Sequence, residues 1–196
     1  MSQTIAFFDF DGTITTKDSF LEMIKFQKGK LAFLTGFALL SPLLVLHKLK
    51  LIPNWKAKEM VLQYYFKNTP IEIFETAAAR FATIEIPKML RPTAMEKLRW
   101  HQQEGHRVVI VSASATQWLR AWTTSINVEL IGTELEIKDG KITGKLASPN
   151  CYGIEKANRI KSLIDLTQYQ HIYAYGDSRG DREMLELATE AFYRGF

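Results

Sequence analysis

Phe7-Phe8-Asp9-Phe10-Asp11-Gly12-Thr13 decides the fold class of this chain. Ile5 to Phe8 is an uninterrupted apolar run, the pattern of a strand buried on both faces of a parallel sheet. It stops at two aspartates one residue apart, followed by Gly12 and Thr13. In open α/β sheets, ligands bind just beyond the carboxyl ends of the strands. Two carboxylates that close repel, and each resists ionisation unless a cation lies between them. An all-oxygen set of this kind suits a hard divalent ion, Mg²⁺ above all. Gly12 lets the chain turn sharply, and backbone N–H groups in such a loop can face an anion. The combination describes a site for phosphoryl transfer. The plainer alternative is a simple Asp-Gly turn after a strand.

Two further strands end in the same manner. Arg107-Val-Val-Ile-Val111 is a second buried strand, running into Ser112-Ala113-Ser114 and then a helix through Trp118, Leu119 and Trp122. Hydroxyls and N–H groups between a strand end and a helix start form an anion site, with Ser114 also open to reading as an N-cap. His171-Ile-Tyr-Ala-Tyr175 is a third strand, ending in Gly176-Asp177-Ser178-Arg179-Gly180-Asp181 and a helix from Arg182 to Ala188. Residues 191–196 are predicted as a last strand. Ahead of the third strand, Asp139-Gly140 marks a small hairpin. Lys156 follows in the first turn of another helix, where it opposes the helix dipole unless it points at a phosphate. The four histidines show no metal-ligand spacing and are read as structural.

Between the first and second strands lies a different kind of sequence. Ser19 to Phe26 is helix-like, and Leu31 to Leu46 are sixteen residues without a charge, interrupted by Pro42. That is short of the ~20 residues that span a bilayer. The expectation is a buried helical hairpin in a cap; the alternative is a helix pair lying in a membrane interface. From Ser19 to Pro70 there are eight lysines against two acids, +6, whereas the whole chain carries +4. Such charge beside an apolar stretch is the composition of a surface that meets anionic lipid or an anionic substrate. Asn54 to Lys67 reads as a helix capped by Asn54, with Trp55, Met60, Val61, Tyr64 and Tyr65 as core. Pro70 to Ile84 is helical, and Pro87 and Pro92 punctuate the return. Residues 15–87 are therefore a helical cap inserted into a core made of 1–14 and 88–196. The helix 94–104 closes at Gly105.

Composition bounds the partners. With 46% apolar and 23% charged residues the chain is an ordinary folded protein. A pI near 9.1 is too mild to argue for nucleic acid, and no nucleic-acid partner is expected. A single cysteine, Cys151, excludes an intrachain disulfide and suits a reducing compartment. A strand starting by Thr4 leaves no room for a signal peptide before it. The expected location is cytoplasmic, with peripheral contact at the inner face of the membrane as a refinement.

Phe8-Asp-Phe-Asp-Gly-Thr13, Val111-Ser112, Lys156 and Gly176-Asp-Ser-Arg-Gly-Asp181 come in that order at strand ends. Together they resemble the haloacid dehalogenase-like phosphatases. The cap placed after the first motif, and the hairpin before the lysine, resemble the subfamily containing phosphoserine phosphatase. The resemblance implies an α/β fold: a doubly wound, Rossmann-like parallel sheet with an inserted helical cap. It implies Asp9 as nucleophile, taking the phosphoryl group as an aspartyl phosphate. Asp11 would be general acid and then base. Lys156 would neutralise the nucleophile and the transferring group. Gly12, Ser112 and Ala113 would bind the phosphate. Mg²⁺ would be held by Asp9, Asp177 and the backbone carbonyl of Asp11, and Asp181 would orient Lys156 or a metal-bound water.

Gly180 stands where those enzymes carry Asn. Asp18 stands where they hold a substrate ammonium. No arginine precedes Arg80, although their cap uses one for the substrate carboxylate. The apolar, lysine-flanked cap resembles bacterial relatives that dephosphorylate phosphatidylglycerophosphate. The readings that follow are a Mg²⁺-dependent phosphomonoesterase of a lipid phosphate, a phosphatase of a small soluble phosphate such as phosphoserine, and a catalytically idle relative that binds lipid or a partner. A phosphotransferase differs only in the acceptor.

Overall fold

The computed structural model describes residues 3–196. In chain order the elements are β1 (Thr4–Phe8), α1 (Ser19–Lys28), α2 (Lys30–Lys48), α3 (Asn54–Phe66), α4 (Ile71–Ile84), α5 (Ile86–Met89) and α6 (Pro92–Gln103). Then come β2 (Arg107–Ala115), α7 (Thr116–Ser125), β3 (Glu129–Thr133), β4 (Leu135–Lys138) and β5 (Lys141–Leu146). The chain closes with α8 (Ile154–Leu163), β6 (His171–Gly176), α9 (Arg182–Leu185) and β7 (Glu190–Tyr193).

Five strands form one parallel sheet in the order β3-β2-β1-β6-β7. Every residue of β1 is buried because both faces of the sheet are covered. Ala6 and Phe8 face one cluster with Ile110, Trp118 and Tyr175; Ile5 and Phe7 face the other with Val109, Val111, Ile160 and Met184. The sheet is doubly wound, as expected. Phe8 pairs with Ile110 on one side and Tyr175 on the other, so three chains leave the sheet at one edge. The order reverses around β1, and such a switch point opens a crevice beyond the strand ends. The Asp139-Gly140 hairpin forms as a separate antiparallel pair, β4 with β5.

The inserted helices differ from expectation in three places. Leu31 to Leu46 are not a buried hairpin: they belong to the single 19-residue helix α2. Pro42 is tolerated because the Ser41 hydroxyl donates to the Ala38 carbonyl at 2.7 Å, serving the acceptor that a proline nitrogen cannot reach. Of α2, only Gly36 and Leu43 are buried, while Leu31 is 76% and Leu39 69% exposed. Asn54 does not cap α3; Pro53 precedes the helix, and Asn54 Oδ1 instead accepts from Asn150 Nδ2 at 3.1 Å. Val61 and Tyr65 are core as expected, but Trp55, Met60 and Tyr64 are exposed. The apolar cluster nevertheless runs without a break from Phe8 and Phe10 through Met23, Leu62 and Phe74 to Trp118, tying the insertion to the sheet.

Candidate active site

The abrupt end of β1 puts Asp9 at the switch point, its N–H donating to the Tyr175 carbonyl at 2.9 Å. Lys156 reaches it from the first turn of α8. Its ammonium donates to Asp9 Oδ1 at 2.5 Å, Asp181 Oδ1 at 2.6 Å and the Val111 carbonyl at 2.7 Å. The lysine is fully buried, a position tolerated only because all three ammonium protons find acceptors. Burial pulls Lys156 down, but Asp9 and Asp181 outweigh it and hold the group well above the ordinary lysine value. Asp181 spends its other oxygen on the Ser178 hydroxyl at 2.7 Å and the Ser178 N–H at 2.9 Å. Burial raises it, yet Lys156 and the Ser178 bonds leave it below the usual carboxylate range. Asp181 is thus fixed to Lys156, one of the two roles expected of it.

Asp9 behaves differently. Burial, opposed by Lys156 and reinforced by Asp181, pushes its carboxyl up to about 7. Oxygens of Asp9, Asp177 and Asp181 lie within 4.8 Å of one another. The Thr13 hydroxyl stands between Asp9 Oδ2 at 3.2 Å and Asp177 Oδ1 at 3.3 Å. Gly12, at φ +94°, leaves the space that Asp177 fills; a Cβ there would strike the carboxylate. Three carboxylates against one ammonium leave negative charge for a hard cation to balance. The donor set therefore fits Mg²⁺, with Asp9 and Asp177 as the ligands that have oxygens to spare. The Asp11 carboxylate is turned away from this cluster: Oδ1 accepts from the Ser19 N–H and Oδ2 from the Ser114 hydroxyl, both at 2.6 Å. Desolvation, then the neighbouring Asp18, raises Asp11 to about 6 against those bonds.

Ser114 is not an N-cap, since β2 continues to Ala115; it holds Asp11 and meets the Ser19 hydroxyl at 2.9 Å. Ser112 is fully buried and accepts from the Ser114 N–H at 3.0 Å. The Ala113 carbonyl accepts from Lys58 at 2.6 Å. Asp18 caps α1 through the Leu21 N–H at 3.0 Å and lines the main cleft. Gly12 lines a second cavity, beside Asp177. The Tyr152 ring lies where a side chain at position 180 would sit, which accounts for Gly180.

Sequence reasoning missed Lys58. Its ammonium turns inward to Ala113 and to Asn150 Oδ1 at 3.0 Å, although it had been read as part of a basic surface. Burial lowers it to about 8, while Asp11 and Asp18 hold it up. Its one signal was its place beside Ala57 and Val61 on the apolar side of α3. The main cleft, about 330 Å³, joins Asp9, Asp11 and Lys156 at one end to Phe20, Phe37 and Leu44 at the other.

A family model of haloacid dehalogenase-like hydrolases matches residues 6–186. The chain belongs to that family. It is 34% identical over 191 residues to Protein CicA of Caulobacter vibrioides, covering 96% of this chain and 85% of the relative. Its fold is similar to the crystal structure of a Bordetella pertussis Tohama I protein of unknown function (TM-score 0.84, 21% identity, 98% of this chain and 90% of that one). It is also similar in fold to phosphoserine phosphatase as a phospho-aspartyl intermediate analogue (TM-score 0.69, 18% identity, 98% and 87%). Within the haloacid dehalogenase-like hydrolases its fold is shared with solved phosphoserine phosphatases. Phosphatases of this family generally use Mg²⁺ and an aspartyl-phosphate intermediate.

Proposed function

We propose that this haloacid dehalogenase-like phosphatase hydrolyses an anionic lipid phosphomonoester, such as phosphatidylglycerophosphate, with Mg²⁺. The carrying observation is that one cleft is lined both by Asp9, Asp11 and Lys156 and by apolar side chains of α1, α2 and α3, with the Lys58 ammonium in the same lining, 6.0 Å from the Phe20 ring. In this reading a carboxylate oxygen of Asp9 attacks phosphorus, and the departing alkoxide takes the proton of Asp11. Asp11, now charged, removes a proton from the water that attacks the aspartyl phosphate. Inorganic phosphate leaves and Asp9 is restored. Lys156 favours the ionised form of Asp9 against the effect of burial and offsets charge building on the transferred group. A Mg²⁺ ion held by Asp9, Asp177 and the Asp11 carbonyl supplies further charge neutralisation when bound.

Residues 15–87 act as the cap that selects the substrate, over a core of 1–14 and 88–196. Among the described residues α2 alone is long and apolar enough to cross a membrane. Its packing on α1 and α3 supports a helix lying in the interface, with Lys28, Lys30, Lys48 and Lys50 toward anionic headgroups. In this reading the chain is cytoplasmic and peripheral at the inner face of the membrane. Asp18, exposed at the mouth of the same cleft, favours a second reading: a small ammonium-bearing phosphate such as phosphoserine. Co-sedimentation with anionic vesicles, beside kinetics on phosphatidylglycerophosphate and phosphoserine, separates the two. Vesicle binding and a higher kcat/KM on the lipid are expected; no binding with a preference for phosphoserine overturns the lipid reading.

A further inference from the structure

Arg91 stands where the inserted helices rejoin the sheet-bearing core. Pro92 follows it, and a residue before proline is driven to extended backbone; Arg91 has φ −84° and ψ 117°. The extended stretch lies against the chain that leaves the nucleophile loop. Arg91 N–H donates to the Ile14 carbonyl at 2.8 Å, Thr16 N–H to the Met89 carbonyl at 2.8 Å, and Thr15 bridges Leu90. From this short ladder the guanidinium reaches back to the loop itself. Nη2 donates to the Gly12 carbonyl at 3.1 Å and Nε to the Thr13 carbonyl at 3.3 Å.

Those two carbonyls belong to the residues directly after Asp11. In a trans peptide the next N–H points opposite to the carbonyl, so gripping both oxygens sets the orientation of two successive peptide planes. Thr13 is the residue whose hydroxyl stands between Asp9 and Asp177. A guanidinium presents two adjacent donors in a rigid fork, which a lysine cannot reproduce. We infer that Arg91 is a positioning residue: its fork holds the 12–13 peptides, and through Thr13 the mutual placement of Asp9 and Asp177. The inference rests on Asp9 being the nucleophile. The main-chain ladder around residues 14–16 and 89–91 does not need the side chain, so the fold survives its removal while the loop loses its fixed orientation.

The test pairs Arg91→Met with Arg91→Lys. Measurements are kinetics on p-nitrophenyl phosphate, Mg²⁺ affinity of the free protein by calorimetry, and thermal unfolding. Misplacement of a reacting group by about 1 Å can cost ~10²-fold. Arg91→Met should lose roughly 10–10²-fold in kcat with KM nearly unchanged and weaker Mg²⁺ binding, and Arg91→Lys should lose less. Lys88→Ala is the control, because among the described residues the Lys88 ammonium bonds only the neighbouring Glu85, at 2.8 Å. A folded Arg91→Met with unchanged kcat and Mg²⁺ affinity, beside a wild type that needs Asp9, overturns this inference alone. A wild type without phosphatase activity, or one indifferent to Asp9→Asn, overturns the proposed function and this inference with it. Failure of both Arg91 variants to fold makes the residue structural and overturns the positioning role.

Discussion

Helices α2 and α8 break the ordinary rule of burial in opposite directions. Helix α8 carries a lysine inside: Lys156 is 1% exposed. Helix α2 carries its leucines outside, with Leu31, Leu34 and Leu39 all more than 60% exposed. Single exposed leucines are common, but a contiguous apolar face on a soluble helix marks a contact site. The lysine's deviation is closed within the chain, by Asp9, Asp181 and the Val111 carbonyl. That of α2 has no such closure among the described residues. The first is what chemistry demands of a site that must neutralise phosphate in a dry pocket. The second calls for something outside the chain.

Replacing Lys156 should give the largest effect. Lys156→Ala leaves two buried carboxylates without their cation, and breaking a buried pair costs about 3–5 kcal/mol. Thermal unfolding should show that loss, and turnover should disappear with it. The cost in stability exceeds what the sequence suggested, because a lysine in a first helical turn is ordinarily exposed. Asp9→Asn should also abolish turnover, since an amide is a poor nucleophile, and wild-type rates in that variant would remove Asp9 from its role.

Asp11→Asn should separate chemistry from stability. Loss of general acid–base catalysis lowers kcat by ~10²–10⁴-fold. The amide can still accept from the Ser19 N–H and meet the Ser114 hydroxyl. Asp11 is raised to about 6 when folded, so its favourable contribution exists below its unfolded value and is lost as pH rises through about 6. The variant's gain in melting temperature over wild type, both in chelator, should therefore be larger at pH 8 than at pH 5. A gain in stability that is the same at both pH values would contradict the assignment.

On α2 the expectation reverses. Leu31→Glu with Leu39→Glu should change stability by no more than about 0.5 kcal/mol, as exposed substitutions do. Binding to anionic vesicles should nonetheless drop sharply, which co-sedimentation would measure. A large loss of stability would mean that this face is packed after all. The smallest effect is salt: raising ionic strength from about 0.1 to 1 M shortens the screening length from ~10 to ~3 Å. Vesicle binding through the flanking lysines should weaken, while the buried pairing of Lys156 should be untouched.

By itself the sequence determined the parallel sheet and the order of the acidic strand ends. Each is written in a local pattern: an apolar run such as Ile5 to Phe8 is buried on two faces, and a carboxylate just after it has nowhere to go but the sheet edge. Asp9 and Asp177 stood at strand ends for that reason, while Lys156 and Asp181 were named from the family resemblance. Tertiary structure decided the rest. It turned the lysine of Lys58 inward, joined Ser19 and Ser114 around Asp11, and brought Arg91 onto the Gly12 and Thr13 carbonyls. Apart from Ser19 and Asp11 these partners are separated by dozens of residues, and serine, lysine and arginine have the same appearance in a sequence whether they serve water or a carboxylate. It also carried α2 through Pro42, where the Ser41 hydroxyl serves the freed Ala38 carbonyl, and it left the helix's leucines exposed. Hydrophobic periodicity reports which residues avoid water; which of them find a partner within the chain depends on the surfaces the fold brings together.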